Sequence, residues 1–207
     1  MTTLADLLAR VEAGDRLPTD PWLSLVPAPP GTPAVMAFPG HVVVATDLEP
    51  AWICAQLPDS DLSAPMNPPF LHACERKLGR RVNNLDGLYL AAPAPGRPPV
   101  ELREVDDLDH PRVRRARRYR PDVRVFTTDG GVVVVGSGVA GRWEVAIEVD
   151  PSYRGRGLGR TLAAAARHLV PESRPLWAQI APGNAASIRA FLAAGFRPVG
   201  AEALLVP

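Results

Sequence analysis

Seven consecutive residues, Arg154-Gly155-Arg156-Gly157-Leu158-Gly159-Arg160, interleave positive charge with glycine. Before them a β-favouring run (Val145, Ala146, Ile147, Val149) stops at Asp150-Pro151. After them, residues 161–169 are rich in Ala and Leu and read as a helix. The order is strand, glycine-rich turn, helix. A helix start presents unpaired backbone N–H groups and a partial positive charge. Glycines let that backbone approach a bulky anion and form a concave nest of amides. With three guanidiniums alongside, the chemistry implied is diphosphate binding. Two carboxylates lie just upstream. Strand side chains alternate, so Glu144 and Glu148 share one face with Ala146, while Val145, Ile147 and Val149 share the other. A bulge would change that parity.

A P-loop needs Gly-x-x-x-x-Gly-Lys followed by Ser or Thr, and the single lysine of this chain is Lys77. A dinucleotide fingerprint needs Gly-x-Gly-x-x-Gly directly after a strand, whereas residues 155–159 read Gly-x-Gly-x-Gly. Arg154, Gly157 and Gly159 instead fill Arg-x-x-Gly-x-Gly. That pattern, preceded by Val149-Asp150-Pro151-Ser152-Tyr153, resembles motif A of the GCN5-related N-acetyltransferases, the GNAT superfamily. In that family the loop amides hold the pyrophosphate of an acyl-coenzyme A. The plainer alternative is a glycine-rich turn ringed by solvated arginines.

Residues 184–196 resemble motif B of the same superfamily. Asn184, after Pro182-Gly183, stands where an N-cap belongs, and Gly195 stands where a helix ends. The resemblance spans roughly residues 100–207 and implies acetyl-coenzyme A as cofactor. It puts Arg154, Gly155, Arg156, Gly157, Leu158, Gly159 and Arg160 at the diphosphate. The backbone near Ile147 and Val149 would pair with the pantetheine arm like an added strand. Asn184, Ser187 and Phe191 would lie on the cofactor side as well. The fold implied is α/β (α+β): a mixed, mostly antiparallel central sheet flanked by helices, preceded by a smaller α/β N-terminal part. Two central strands would splay apart at the loop.

Acyl transfer to an amine needs a base, because a lysine-like amine has an unperturbed pKa of about 10.4. Glu144 and Glu148 are the candidates; each could equally serve as a partner for an arginine. Backbone N–H groups near Val149 are the expected oxyanion donors. For the acid, the family often has a tyrosine seven residues after the motif B asparagine. Phe191 stands there and cannot donate a proton. Water, another group or unaided departure of the thiolate would have to serve, or the protein binds without turnover. Tyr153 matches a tyrosine that is mainly structural in the family. His41, His72, His110 and His168 are scattered and read as structural or exposed.

The 207 residues allow one large domain or two small ones, and the 46% apolar content supports a core. A net charge of +1 points to no polyanion. No apolar run reaches the ~20 residues of a membrane span, and residues 1–10 lack the apolar core of a signal peptide. Cys54 and Cys74 form no metal-ligand cluster, so two reduced, buried thiols and no metal are expected. A cytoplasmic, bacterial protein follows, its wealth of Ala, Arg, Pro and Gly pointing to a GC-rich genome.

Residues 91–99 are the clearest linker. They place a boundary near residue 97, giving an α/β part of unreadable role over 1–97 and a GNAT-like domain over 98–207. The first part shows a helix at 4–13, a proline-dense irregular stretch at 17–33, strands at 34–38 and 41–46, a helix at 70–78 and a strand at 85–92. The second shows strands at 100–105, 123–127, 132–135, 142–149, 176–181 and 198–206. Helices are expected at 109–119, 161–169 and from Asn184. The helix at 109–119 is crowded with arginine. A solvated face is favoured over a nucleic-acid surface, because no aromatic interleaving accompanies it; the family puts this helix on the acceptor side, which extends to an acidic acceptor. The leading reading is an N-acyltransferase in which a primary amine, of a small molecule or a protein, attacks acetyl-coenzyme A directly in a ternary complex. The alternative is a non-catalytic module that senses acyl-coenzyme A. A homodimer is left open.

Overall fold

The computed structural model describes residues 2–58, 60–106, 108–171 and 174–207. The chain divides into two compact units. One runs to Leu88 and takes up Val199–Pro207; the other is Tyr89–Pro198. The first break between these units falls at residue 89, and the tail joins the first unit. Pairing explains both. Tyr89 and Ala91 belong to the second unit's core, while the tail strand is laddered to the first unit, from Ala201↔Ala37 to Leu204↔Ala34.

The first unit begins with α1 (Leu4–Ala13). Its start is a capping box, with Thr3 N–H donating to Asp6 Oδ2 at 2.8 Å and Asp6 N–H to Thr3 Oγ1 at 3.2 Å. Leu4, Leu7, Leu8 and Val11 form its buried stripe. Then come β1 (Leu23–Val26), β2 (Ala34–Phe38), β3 (His41–Ala45), α2 (Pro50–Ala55), α3 (Pro68–Leu78) and β4 (Arg81–Ala91). With β10 (Arg197–Val206), the strand order here is β1-β3-β2-β10-β4. β1 lies inside the stretch expected to be irregular. Its ladder is a parallel pairing with β3, a non-local bond that no local pattern reveals. Cys74 is fully buried among Val35, Val42, Ile53 and Phe70, and burial pushes its thiol up to about 11. Cys54, expected to be buried, is exposed: α2 turns Ile53 inward, so its neighbour faces out.

The second unit holds β5 (Arg103–Glu104), α4 (Pro111–Tyr119), β6 (Arg124–Thr128), β7 (Gly131–Ser137), β8 (Trp143–Val149), α5 (Leu158–Ala166), β9 (Leu176–Ile180) and α6 (Ala185–Ala193). The order is β9-β8-β7-β6-β5, antiparallel except between β8 and β9. Cores form on both sheet faces. Val133, Val135 and Val145 pack with Leu162, Ala163 and Phe191 from α5 and α6, while Val132 and Val134 pack with Val113 and Ala116 of α4. This is strand alternation with both faces covered. The expected strand at 100–105 shrinks to the two residues of β5, paired only with β6 at the sheet edge.

Candidate functional site

The site starts where β8 leaves its neighbour. β7 and β8 pair without a bulge from Gly131↔Val149 to Ser137↔Trp143. On its other side β8 meets β9 only at Trp143↔Leu176 and Glu144↔Trp177. Beyond Glu144 the two strands diverge. The Asp150 N–H donates to Gly130 O at 2.9 Å, toward β7. In an antiparallel ladder the N–H and C=O of one residue point the same way and alternate along the strand. Glu148 and Ala146 thus address β7, while Ile147 and Val149 present their backbone groups to the gap.

At the end of β8 the chain turns through Pro151–Tyr153 and enters α5. The Tyr153 ring lies over Gly130, where a Cβ would come within 2.1 Å of it, so this tyrosine packs the hairpin turn. Gly155 and Gly157 take φ of 76° and 86°, a left-handed conformation that favours glycine. Gly157 is the N-cap of α5, leaving the first N–H groups of the helix, from Leu158 onward, without intrahelical acceptors. A Cβ at Gly155 or Gly157 would meet nothing within 4 Å, and one at Gly159 would meet Ala190 and Val149 at 3.7 and 3.8 Å. The loop backbone is therefore bare, and the glycines serve conformation and access.

A cleft of about 610 Å³ opens here. It is lined by Ile147, Glu148 and Val149 from β8, by Arg154, Gly155, Gly157, Leu158, Gly159 and Arg160 from the loop and α5, and by Asn184, Ser187 and Ala190 at α6. Arg112 and Arg189 also line it. Asn184 caps α6, its Oδ1 accepting from the Ser187 N–H at 3.1 Å. Four arginines thus face one glutamate. Among the described residues, nothing accepts a hydrogen bond from the guanidinium of Arg160 or Arg189. Arg154 donates from Nε to Val149 O at 3.0 Å and from Nη2 to Glu148 Oε1 at 3.4 Å.

Two of the expected residues do not line the cleft. Phe191 does not line the cleft: it is 3% exposed and packs edge-on against Phe196, with ring centroids 4.8 Å apart. The helical repeat explains this, because Ile188, Phe191 and Ala194 form the core stripe of α6 while Ala186, Ala190 and Ala193 line the cleft. Arg156 is exposed on the loop but is not among the lining residues.

The two candidate bases also part company. Glu144 is not in the cleft. It is 4% exposed and salt-bridged to Arg142 at 2.8 Å and Arg120 at 2.7 Å. Burial alone would raise its pKa; the two guanidiniums, with the Arg142 hydrogen bond and the Val139 N–H, outweigh it and hold the carboxyl below the usual range. Arg142 in turn lies over the Trp177 ring at 5.3 Å. A Cβ at Gly138 would fall 2.1 Å from the Glu144 carboxyl carbon, so the β7–β8 turn closes directly over this carboxylate. Glu148 lines the cleft with a 30% exposed side chain. Arg112 sends both Nε and Nη2 to its Oε2, at 2.8 and 2.6 Å.

Sequence reasoning counted Arg112 in the arginine helix but not in the site. Its pairing with Glu148, 36 residues away, has no local signature. Arg189, Ala186 and Ala190 were within reach, because they lie on the helix that Asn184 caps.

A split sheet, an amide nest and a motif B helix define a class, and residues 97–196 match the sequence model of the acetyltransferase (GNAT) family. Over those residues the chain is similar to the acetyltransferase domain of that family. Among solved structures it is similar to a GCN5-related N-acetyltransferase from Kribbella flavida, with 18% identity and a TM-score of 0.41, over 67% of this chain and 64% of that one. A GCN5-related N-acetyltransferase from Sphaerobacter thermophilus shows 15% identity and a TM-score of 0.38, over 65% and 54%. A tandem GNAT protein from the clavulanic acid biosynthesis pathway shows 16% identity and a TM-score of 0.39, over 86% and 84%. The chain thus spans less than two thirds of the first two structures. No curated protein matches it.

Proposed function

We propose that this protein is an N-acyltransferase that moves an acetyl or other acyl group from acyl-coenzyme A to a primary amine within a ternary complex. The observation that carries this reading is the continuity of one cleft, from the amide nest at residues 155–160, along the released edge of β8, to the carboxylate of Glu148. The site fits the donor. Bare loop backbone and the guanidiniums of Arg160 and Arg189 offer unsatisfied positive charge to a diphosphate, with the already bonded Arg154 beside them, and the backbone of Ile147 and Val149 offers strand-like pairing to an amide-bearing arm.

Acyl-coenzyme A supplies the activated thioester, whose C–S bond breaks as the new N–C bond forms, the sulfur leaving with the electron pair. The chain's own groups do the rest. The cleft holds the reacting partners together, which replaces an encounter with alignment. The Val149 N–H is an oxyanion donor on an edge free of β9. Glu148 receives the amine's proton, directly or through water, at Oε1, the oxygen that Arg112 leaves alone. Glu144 has no part in this chemistry.

Thiol release from acetyl-coenzyme A, followed across a panel of amines, tests the reading. Release that depends on the amine and falls sharply in Glu148→Gln supports it. Tight uptake of acetyl-coenzyme A with no release would support the sensor instead, a reading favoured by the core position of Phe191, which leaves no aromatic hydroxyl at that step of α6.

A further inference from the structure

A further inference about the acceptor rests on the transferase reading above. We propose that the acceptor is a zwitterion: an amine carrying its own carboxylate or phosphate a short chain away from the nitrogen. Arg112 commits two of its donors, Nε and Nη2, to one oxygen of Glu148. Two groups are left over. Oε1 of Glu148 has only the 3.4 Å bond from Arg154, and no described residue accepts from Nη1 of Arg112. Both side chains line the cleft and stand partly open, at 38% and 30% exposure.

An ammonium at Oε1 and an anion at Nη1 would each find an opposite charge without breaking the Arg112–Glu148 pair. A plain alkyl amine would leave Nη1 of Arg112 unanswered. It would also add a cation to a cleft that already holds four arginines and one carboxylate. The donor's diphosphate does not remove this bias. Arg112 comes from α4, which packs on the opposite sheet face from α5 and its amide nest. Arg114, Arg115, Arg117 and Arg118 on the exposed side of α4 extend the same sign of charge outward and would steer an anion-bearing acceptor inward.

The test compares three acceptors of matched chain length with acetyl-coenzyme A: an α-amino acid, an aminoalkyl phosphate and the simple alkyl amine. Wild-type protein should use at least one anionic amine with kcat/KM about 10-fold or more above the alkyl amine, the value of one charge-assisted contact. Which of the two leads separates carboxylate from phosphate. Arg112→Gln should level the difference, chiefly through KM, with uptake of coenzyme A unchanged by calorimetry. The wild-type comparison stands by itself if the variant loosens α4. Equal use of the alkyl amine overturns the proposal, and so does a protein that takes up coenzyme A yet accepts none of the three. Failure to take up coenzyme A at all sinks the transferase reading beneath it and the proposal with it.

Discussion

Glu144 and Glu148 lie four residues apart on one face of β8, and each is gripped by an arginine from the same helical segment, Arg120 at one end and Arg112 at the other. The spans match: four strand steps of about 3.3 Å and eight helix steps of about 1.5 Å both come to ~12–13 Å. The two ion pairs clamp α4 antiparallel along β8. At the Glu144 end the clamp is sealed by Arg142 and by the turn at Gly138, and the carboxylate is 5% exposed. At the Glu148 end β9 has diverged, and the carboxylate opens on the cleft. Residue type, strand parity and partner type are the same at both ends. What separates the sealed carboxylate from the one open on the cleft is what covers it.

The contrast breaks first at the sealed end. Glu144→Ala removes the carboxylate shared by the buried Arg142 and the half-buried Arg120, and loss of one partner from a buried pair costs about 3–5 kcal/mol. The melting temperature should fall by roughly 10 °C or more; an unchanged melting curve would refute the buried clamp. At the open end, Glu148→Gln should cost about 1 kcal/mol or less in stability. It should lower amine-dependent thiol release by ~10²-fold, the usual scale of general-base catalysis, with donor uptake intact. Equal stability losses for the two variants would erase the distinction.

Smaller effects sharpen the comparison. Phe191→Tyr puts a hydroxyl beside Phe196 in the core, where a buried unpaired donor costs about 1–3 kcal/mol. No gain in thiol release should accompany the loss in chemical denaturation; a faster enzyme would show that the position reaches the cleft after all. The smallest effect lies in acid. Glu144 has a folded pKa below its unfolded value of about 4.3, so its contribution is present above that value and lost as the pH falls through the lower folded one. Glu144→Gln should flatten this part of the stability profile. An unaltered acid limb would contradict the pairing.

Much of this domain was legible because its signals are local. The strand–loop–helix order around Arg154, the cap at Asn184 and the alternation along β8 all follow from neighbours in sequence, and each is present in the structure. What was hidden is non-local. Nothing near Glu144 in sequence announces that Arg120 will meet it from α4. Two glutamates of equal pattern were therefore indistinguishable until the turn over one and the gap beside the other were seen. Phe191, matched by family position, belongs by helical phase to the core stripe. β1, paired to a strand downstream of it, escaped because proline-dense sequence says little about a partner elsewhere.

Calorimetry on the wild-type protein with coenzyme A and, separately, with pantetheine, which lacks the diphosphate, probes the cradle most directly. If the amides and arginines of residues 154–160 grip that diphosphate, coenzyme A should be taken up and pantetheine held about 100-fold more weakly or worse. Equal binding of the two, or no uptake of coenzyme A, would show that the loop is only a turn.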